Sequence, residues 1–142
     1  IVDTLLLKEP REIFFTTLDG LQYIYLFEDS ILNEYKNYGP IFISINNNGE
    51  NIKKWFSNAK NIGSGIILQS PLGFEDLANH LKKFLFRKRY DDNTVLVRFY
   101  DPYVTTYIKE IFQPNFYNKF IKNIELIAFC GNNKEIQTIK AA

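Results

Sequence analysis

The chain has 142 residues, 46% of them hydrophobic and 16% aromatic, with 17 Lys and Arg against 16 Asp and Glu. That length and composition belong to one folded domain with a real core and exclude a disordered chain, and a net charge of +1 argues against a general nucleic-acid binder. One cysteine, Cys130, excludes an intrachain disulfide framework, and one histidine, His80, leaves little for a zinc or histidine-based catalytic centre. No apolar run approaches the roughly 20 residues that cross a bilayer. Asp3 and Lys8-Glu9 interrupt any signal-peptide core. Methionine is absent even at position 1, which points to a start at an internal residue. The expectation is a soluble, cytoplasmic piece of a protein with no membrane or nucleic-acid partner.

In chain order, residues 13–18 are β-branched and aromatic and end in Asp19-Gly20, which predicts a first strand. Residues 21–32 place Leu21, Ile24, Tyr25, Phe27, Ile31 and Leu32 near one stripe and predict a helix. Gly39-Pro40 punctuates the chain before a second strand at 41–45, and 51–60 reads as a short helix with Ile52, Trp55 and Phe56 inward. Gly63-Ser64-Gly65 leads into a third strand, 66–69, whose apolar run suits burial on both faces.

The helical period is clearest over 73–84, through Phe74, Leu77, Ala78 and Leu81. Residues 85–90 and 94–100 flank the Asp91-Asp92-Asn93 turn and predict an antiparallel hairpin. Helices are predicted over 103–112 and 115–122, and a last strand over 124–129. The fold class is α/β (α+β): a mixed sheet of five or six strands with packed helices over residues 1–133. Residues 134–142 read as a weakly patterned tail, loose or opening a following segment.

Chemistry concentrates at Leu96-Val97-Arg98-Phe99-Tyr100-Asp101-Pro102. Pro102 lacks an amide hydrogen and pushes Asp101 from helical angles, so a strand ends there and Asp101 is placed to cap the next helix. Arg98 among apolar neighbours, close to Asp101, reads as an internal ion pair or an anion-reading corner. Asp19 closes an earlier predicted strand, so a pair of strand-end carboxylates with Asp101 is the one hydrolase geometry on offer. Ser64 precedes a strand, not a nucleophile elbow, and its flanking glycines sit in the wrong order for a phosphate loop. His80 reads as a surface residue on the helix face away from Leu77 and Leu81, and Cys130 as an inert half-buried thiol. No catalytic residue, metal site or cofactor is expected.

Lys82 and Lys83, with Arg87, Lys88 and Arg89, form the one basic cluster, readable as a solvated helix end or as a docking strip for an acidic partner. Tyr100, Tyr103, Tyr107, Phe112, Phe116, Tyr117 and Phe120 crowd the segment after the Asp-Pro corner. Many must be core, and any exposed together would form a protein-binding patch.

Four landmarks occur in the same order in one family: Thr17-Leu18-Asp19-Gly20, Gly39-Pro40, Ile66-Ile67-Leu68-Gln69-Ser70-Pro71, and above all the Arg98-Phe99-Tyr100-Asp101-Pro102 signature. Together they resemble the effector chaperone (adaptor) domain of bacterial type VI secretion systems, catalogued as a domain of unknown function, over about 13–129. Gln22-Tyr23-Ile24-Tyr25 departs from the Ala- and Leu-rich sequence usual in that family, which suggests a different partner surface. The resemblance implies a non-enzymatic role in the bacterial cytoplasm. Such domains bind a secreted effector toxin and help load it onto the spike (valine-glycine repeat) protein, and many carry a C-terminal helical lobe, of which 134–142 would be the start. It also implies that Arg98, Tyr100, Asp101, Pro102 and Asp19 are structural or partner-gripping, with Arg98 pairing Asp101 or Asp19. The alternatives are an immunity-type protein that binds and neutralises a toxin, and the hydrolase using Asp19 and Asp101.

Overall fold

The computed structural model describes residues 1–46 and 48–141, and opens with a two-residue strand, β1 (Val2–Asp3). β1 runs straight into a 3-10 turn (Thr4–Leu6), whose Leu5 amide donates to the Asp3 carboxylate at 3.0 Å. The segment expected to be the first strand is instead a helix, α1 (Arg11–Thr16). Pro10 stands just before the helix with extended backbone, and its carbonyl accepts from the Ile13 amide at 3.1 Å. Phe14 and Leu18, four residues apart, are both buried on one side. The Thr16 and Thr17 hydroxyls donate to the carbonyls of Ile13 and Phe14 at 2.7 and 2.6 Å, which suits threonine to a helix end. Asp19 therefore follows a helix, not a strand.

The expected helix over 21–32 is also overturned. Tyr23–Tyr25 form β2, and tertiary pairing outweighs the helical spacing: Tyr23 sits opposite Ile43, and Tyr25 opposite Ile41. Turns and a 3-10 segment (Asn33–Tyr38) then lead to β3 (Pro40–Ile43), which pairs with both β1 and β2. β3 is buried along its whole length. Ile41 and Ile43 face a cluster with Val2, Phe14, Leu18, Ile52 and Trp55, while Phe42 faces the larger core on the opposite side. Each such fully buried side chain contributes about 2–3 kcal/mol.

α2 (Glu50–Ser57) lays Ile52 and Trp55 onto the smaller cluster, as the spacing predicts. After it comes β4 (Ile66–Gln69), which is not buried on both faces: Ile66 is core, Ile67 exposed. The doubly buried strand is β3, because α1 and α2 cover one of its faces and α3 (Phe74–Lys82) approaches the other.

The hairpin is found as expected, with β5 (Phe86–Lys88) antiparallel to β6 (Thr94–Leu96). Its turn bonds the Arg89 amide to the Asn93 carbonyl at 2.8 Å and holds Asp92 at φ 60°, a conformation aspartate tolerates. β6 stops at Leu96, sooner than expected. Beyond the Asp-Pro corner the one predicted helix is split in two at Tyr107, into α4 (Pro102–Thr106) and α5 (Ile108–Ile111). α6 (Pro114–Ile121) follows, then β7 (Leu126–Cys130) and β8 (Ile136–Lys140). β8 occupies the stretch expected to be a loose tail and pairs with β7 along its full length, from Leu126↔Lys140 to Cys130↔Ile136.

The class is mixed α+β. Among the described residues the eight strands form three small antiparallel sheets, in the orders β1-β3-β2, β4-β7-β8 and β5-β6, where the sequence predicts one mixed sheet. The first two sheets are joined edge to edge. The Ile1 nitrogen donates to the Ile66 carbonyl at 2.7 Å, the Ile66 amide donates back to Ile1 at 2.9 Å, and Val2 bridges Gly65. Backbone comes so close there that a Cβ on Gly65 would run into the carbonyl oxygen of Ile1. The two three-stranded sheets thus run into one another, and Phe42 of β3, Ile66 of β4 and Ile127 of β7 all join the large core with Leu81, Leu85, Phe99 and Phe120.

Candidate functional site

Arg98 lies in the link between β6 and α4, with its guanidinium at a junction of two carboxylates. Nη2 donates to Oδ2 of Asp3 at 2.6 Å and stands 3.4 Å from Oδ2 of Asp101. Asp3 is buried at 1% exposure and uses its other oxygen on the Leu5 amide. Asp101 uses its other oxygen to cap α4, accepting from the Tyr103 amide at 2.9 Å. Pro102 at the first helical position needs no amide partner. The expected cap and the Arg98–Asp101 pair are both present. The tighter partner is Asp3, not Asp19, which is exposed in the turn after α1 and makes no ion pair among the described residues.

Burial works against the Arg98 charge, but the hydrogen bond and charge of Asp3, with Asp101 behind it, outweigh this and hold the guanidinium above its usual value. Burial, and after it the Asp3 carboxylate, push the Tyr100 hydroxyl well above the ordinary tyrosine range despite the opposing pull of Arg98. Tyr100 itself is core, edge-on to Phe99 at 5.5 Å between ring centroids. The corner is thus a buried tie: it fixes the start of α4 to the end of β1, and its carboxylates are already engaged.

His80 is not on the surface. It is a three-residue step from Leu77, so it shares that buried flank of α3. Nε2 lies 2.8 Å from the Phe120 carbonyl and Nδ1 3.3 Å from Nδ2 of Asn123. A carbonyl only accepts, so Nε2 carries the proton, and Nδ1 accepts from the Asn123 amide. His80 thereby ties α3 to the end of α6. Among the described residues no group of three or more His, Cys, Asp or Glu side chains gathers as a metal ion would need.

The aromatic segment after the corner divides cleanly. Tyr100, Phe112 and Phe120 are buried, and Phe116 and Tyr117 are half-buried. Tyr103 and Tyr107 are 63% and 42% exposed, meet edge to face at 5.6 Å between ring centroids, and are followed by Ile111 at 48%. The Tyr107 carbonyl accepts from the Ile111 amide at 2.9 Å, so one helical turn spans the break between α4 and α5 and Ile111 continues the line of the two tyrosines as an apolar ridge. The spacing of Ile111 from the tyrosines was a readable signal for its membership; nothing local marked Asp3.

The basic strip is split. Lys82 donates to the Glu28 carbonyl at 3.0 Å and so braces the loop after β2. Lys83 is exposed at the end of α3. Arg87 lies over the Phe116 ring, 5.7 Å from its centroid. Arg87, Lys88 and Arg89, with Tyr90, Val95, Ile111 and Gln113, line a groove of about 570 Å³ between the hairpin and α5. A second cleft, of about 220 Å³ between β3, β4 and α3, is lined by Ser44, Asn46, Gln69, Ser70 and apolar residues, none of them titratable.

A family model described as a domain of unknown function (DUF4123) matches residues 1–117, and the chain belongs to that family. No curated protein and no solved structure matches it. Among the described residues no helix is long and apolar enough to cross a membrane.

Proposed function

We infer that this domain is a non-enzymatic adaptor, a chaperone that binds a type VI secretion effector toxin in the bacterial cytoplasm and helps load it onto the spike protein. The observation that carries the reading is the ridge of Tyr103, Tyr107 and Ile111, large apolar side chains left exposed side by side on short helices that the buried corner anchors. Aromatic anchors set in a polar rim are what protein recognition uses. A rigid support lowers the entropy cost of presenting them. The Arg98-Phe99-Tyr100-Asp101-Pro102 resemblance supplies the type VI assignment, with Arg98 and Asp101 as the parts that hold the ridge in place. A holdase of this kind needs a surface and no reacting group.

The test is capture of type VI effector and spike proteins by the purified domain, with effector toxicity scored on coexpression. An adaptor retains the effector and alters its stability and delivery. An immunity protein abolishes toxicity, and that result would replace the adaptor reading.

A further inference from the structure

The groove between the β5–β6 hairpin and α5 has the chemistry of a docking slot. Three cations line it, and among the described residues none of them makes an ion pair; no carboxylate lines it. Its floor and walls include Val95 and Ile111, and Tyr90 stands fully exposed at its lip. Arg87 is held ready by the Phe116 ring, so its guanidinium loses little freedom on binding. Ile111 belongs both to this groove and to the aromatic ridge, so the two surfaces are continuous. Unpaired cations beside apolar walls match a chain that offers carboxylates around an apolar residue. A nucleic acid fits less well, because the lining offers one exposed ring for stacking and the protein as a whole carries only +1.

We propose that the groove lined by Arg87, Lys88, Arg89, Tyr90, Val95, Ile111 and Gln113 docks an acidic segment of the partner protein, with an apolar side chain seated against Val95 and Ile111. The proposal deepens the adaptor reading and rests on it for which protein supplies the segment. The carboxylates steer the segment in and fix its register, and the apolar anchor slows its release.

The test uses fluorescence anisotropy on the intact domain with three labelled peptides of equal length: alternating Glu and Leu, alternating Lys and Leu, and alternating Glu and Ser. The Glu/Leu peptide binds saturably, the Lys/Leu peptide does not, and the Glu/Ser peptide binds about tenfold or more weakly for want of its anchor. Raising ionic strength from about 0.05 M to about 0.3 M weakens the Glu/Leu complex. Lys88→Glu with Arg89→Glu, both on exposed side chains, weakens it about tenfold or more while the melting temperature stays put. Equal binding by that variant, equal binding of the Lys/Leu peptide, or tighter binding of oligo-dT that the same variant loses, each overturns the proposal. Effector capture unaffected by Lys88→Glu and Arg89→Glu would remove the groove and leave the adaptor. Glu/Leu binding without capture of any effector would do the reverse.

Discussion

Arg98 donates to Asp3 at 2.6 Å across 95 residues of sequence, and that one bond joins the first strand of the chain to the link that leads into α4 and the exposed tyrosines. Asp3 is fully buried, so its charge is tolerable only while the guanidinium faces it. Arg98→Ala is expected to lower stability by about 2–3 kcal/mol, toward the low end for a buried pair because Arg98 itself is partly exposed. Adding Asp3→Asn recovers part of that loss, since no charge is then stranded. Urea denaturation of the single and double variants reads the difference.

Gly65 is the seam between the two three-stranded sheets. Gly65→Ala puts a methyl against the Ile1 carbonyl, so backbone must move apart. A loss of about 2 kcal/mol is expected, in the range of overpacked cores. Gly63→Ala, two residues away with open space around the new Cβ, is the control and costs far less.

Tyr100 makes the alkaline limb of the stability profile predictable. Its folded-state pKa is raised, so the folded protein keeps a proton that the unfolded chain releases above about pH 10. Stability is intact below that pH and falls as pH rises through it. Tyr25 and Tyr117, also raised by burial, add to the same slope. Tyr100→Phe flattens the limb in part, which denaturant midpoints between about pH 8 and 11 will show.

His80→Ala should destabilise by about 2 kcal/mol, because it strands the Phe120 carbonyl and the Asn123 amide and leaves a void against Phe84. An exposed histidine without partners would cost nothing measurable.

Local physics was readable wherever one element decided its own state. The hairpin, α2, α3, α6 and the Asp101 cap follow from turn residues, helical period and proline chemistry. The errors at α1 and β2 have one origin. Ile13-Phe14-Phe15 looks like strand by side-chain type, and 21–32 looks like helix by spacing, but β3 needs a partner on its second edge and takes Tyr23–Tyr25. Tertiary pairing then outranks propensity. β8 is illegible for a similar reason: its alternation is weak because it lies at a sheet edge, half exposed. Asp3 was unreadable because its partner is 95 residues away, whereas Tyr103, Tyr107 and Ile111 were already spaced as a ridge.

The most direct measurement is capture of a type VI effector by the wild-type domain and by a Tyr103→Ser, Tyr107→Ser, Ile111→Ser variant whose folding is verified by its melting temperature. These side chains are exposed, so the variant should stay folded. The account predicts that wild type retains the effector and the variant loses it about tenfold or more. Equal retention by the folded variant, or none by the folded wild type, would contradict it.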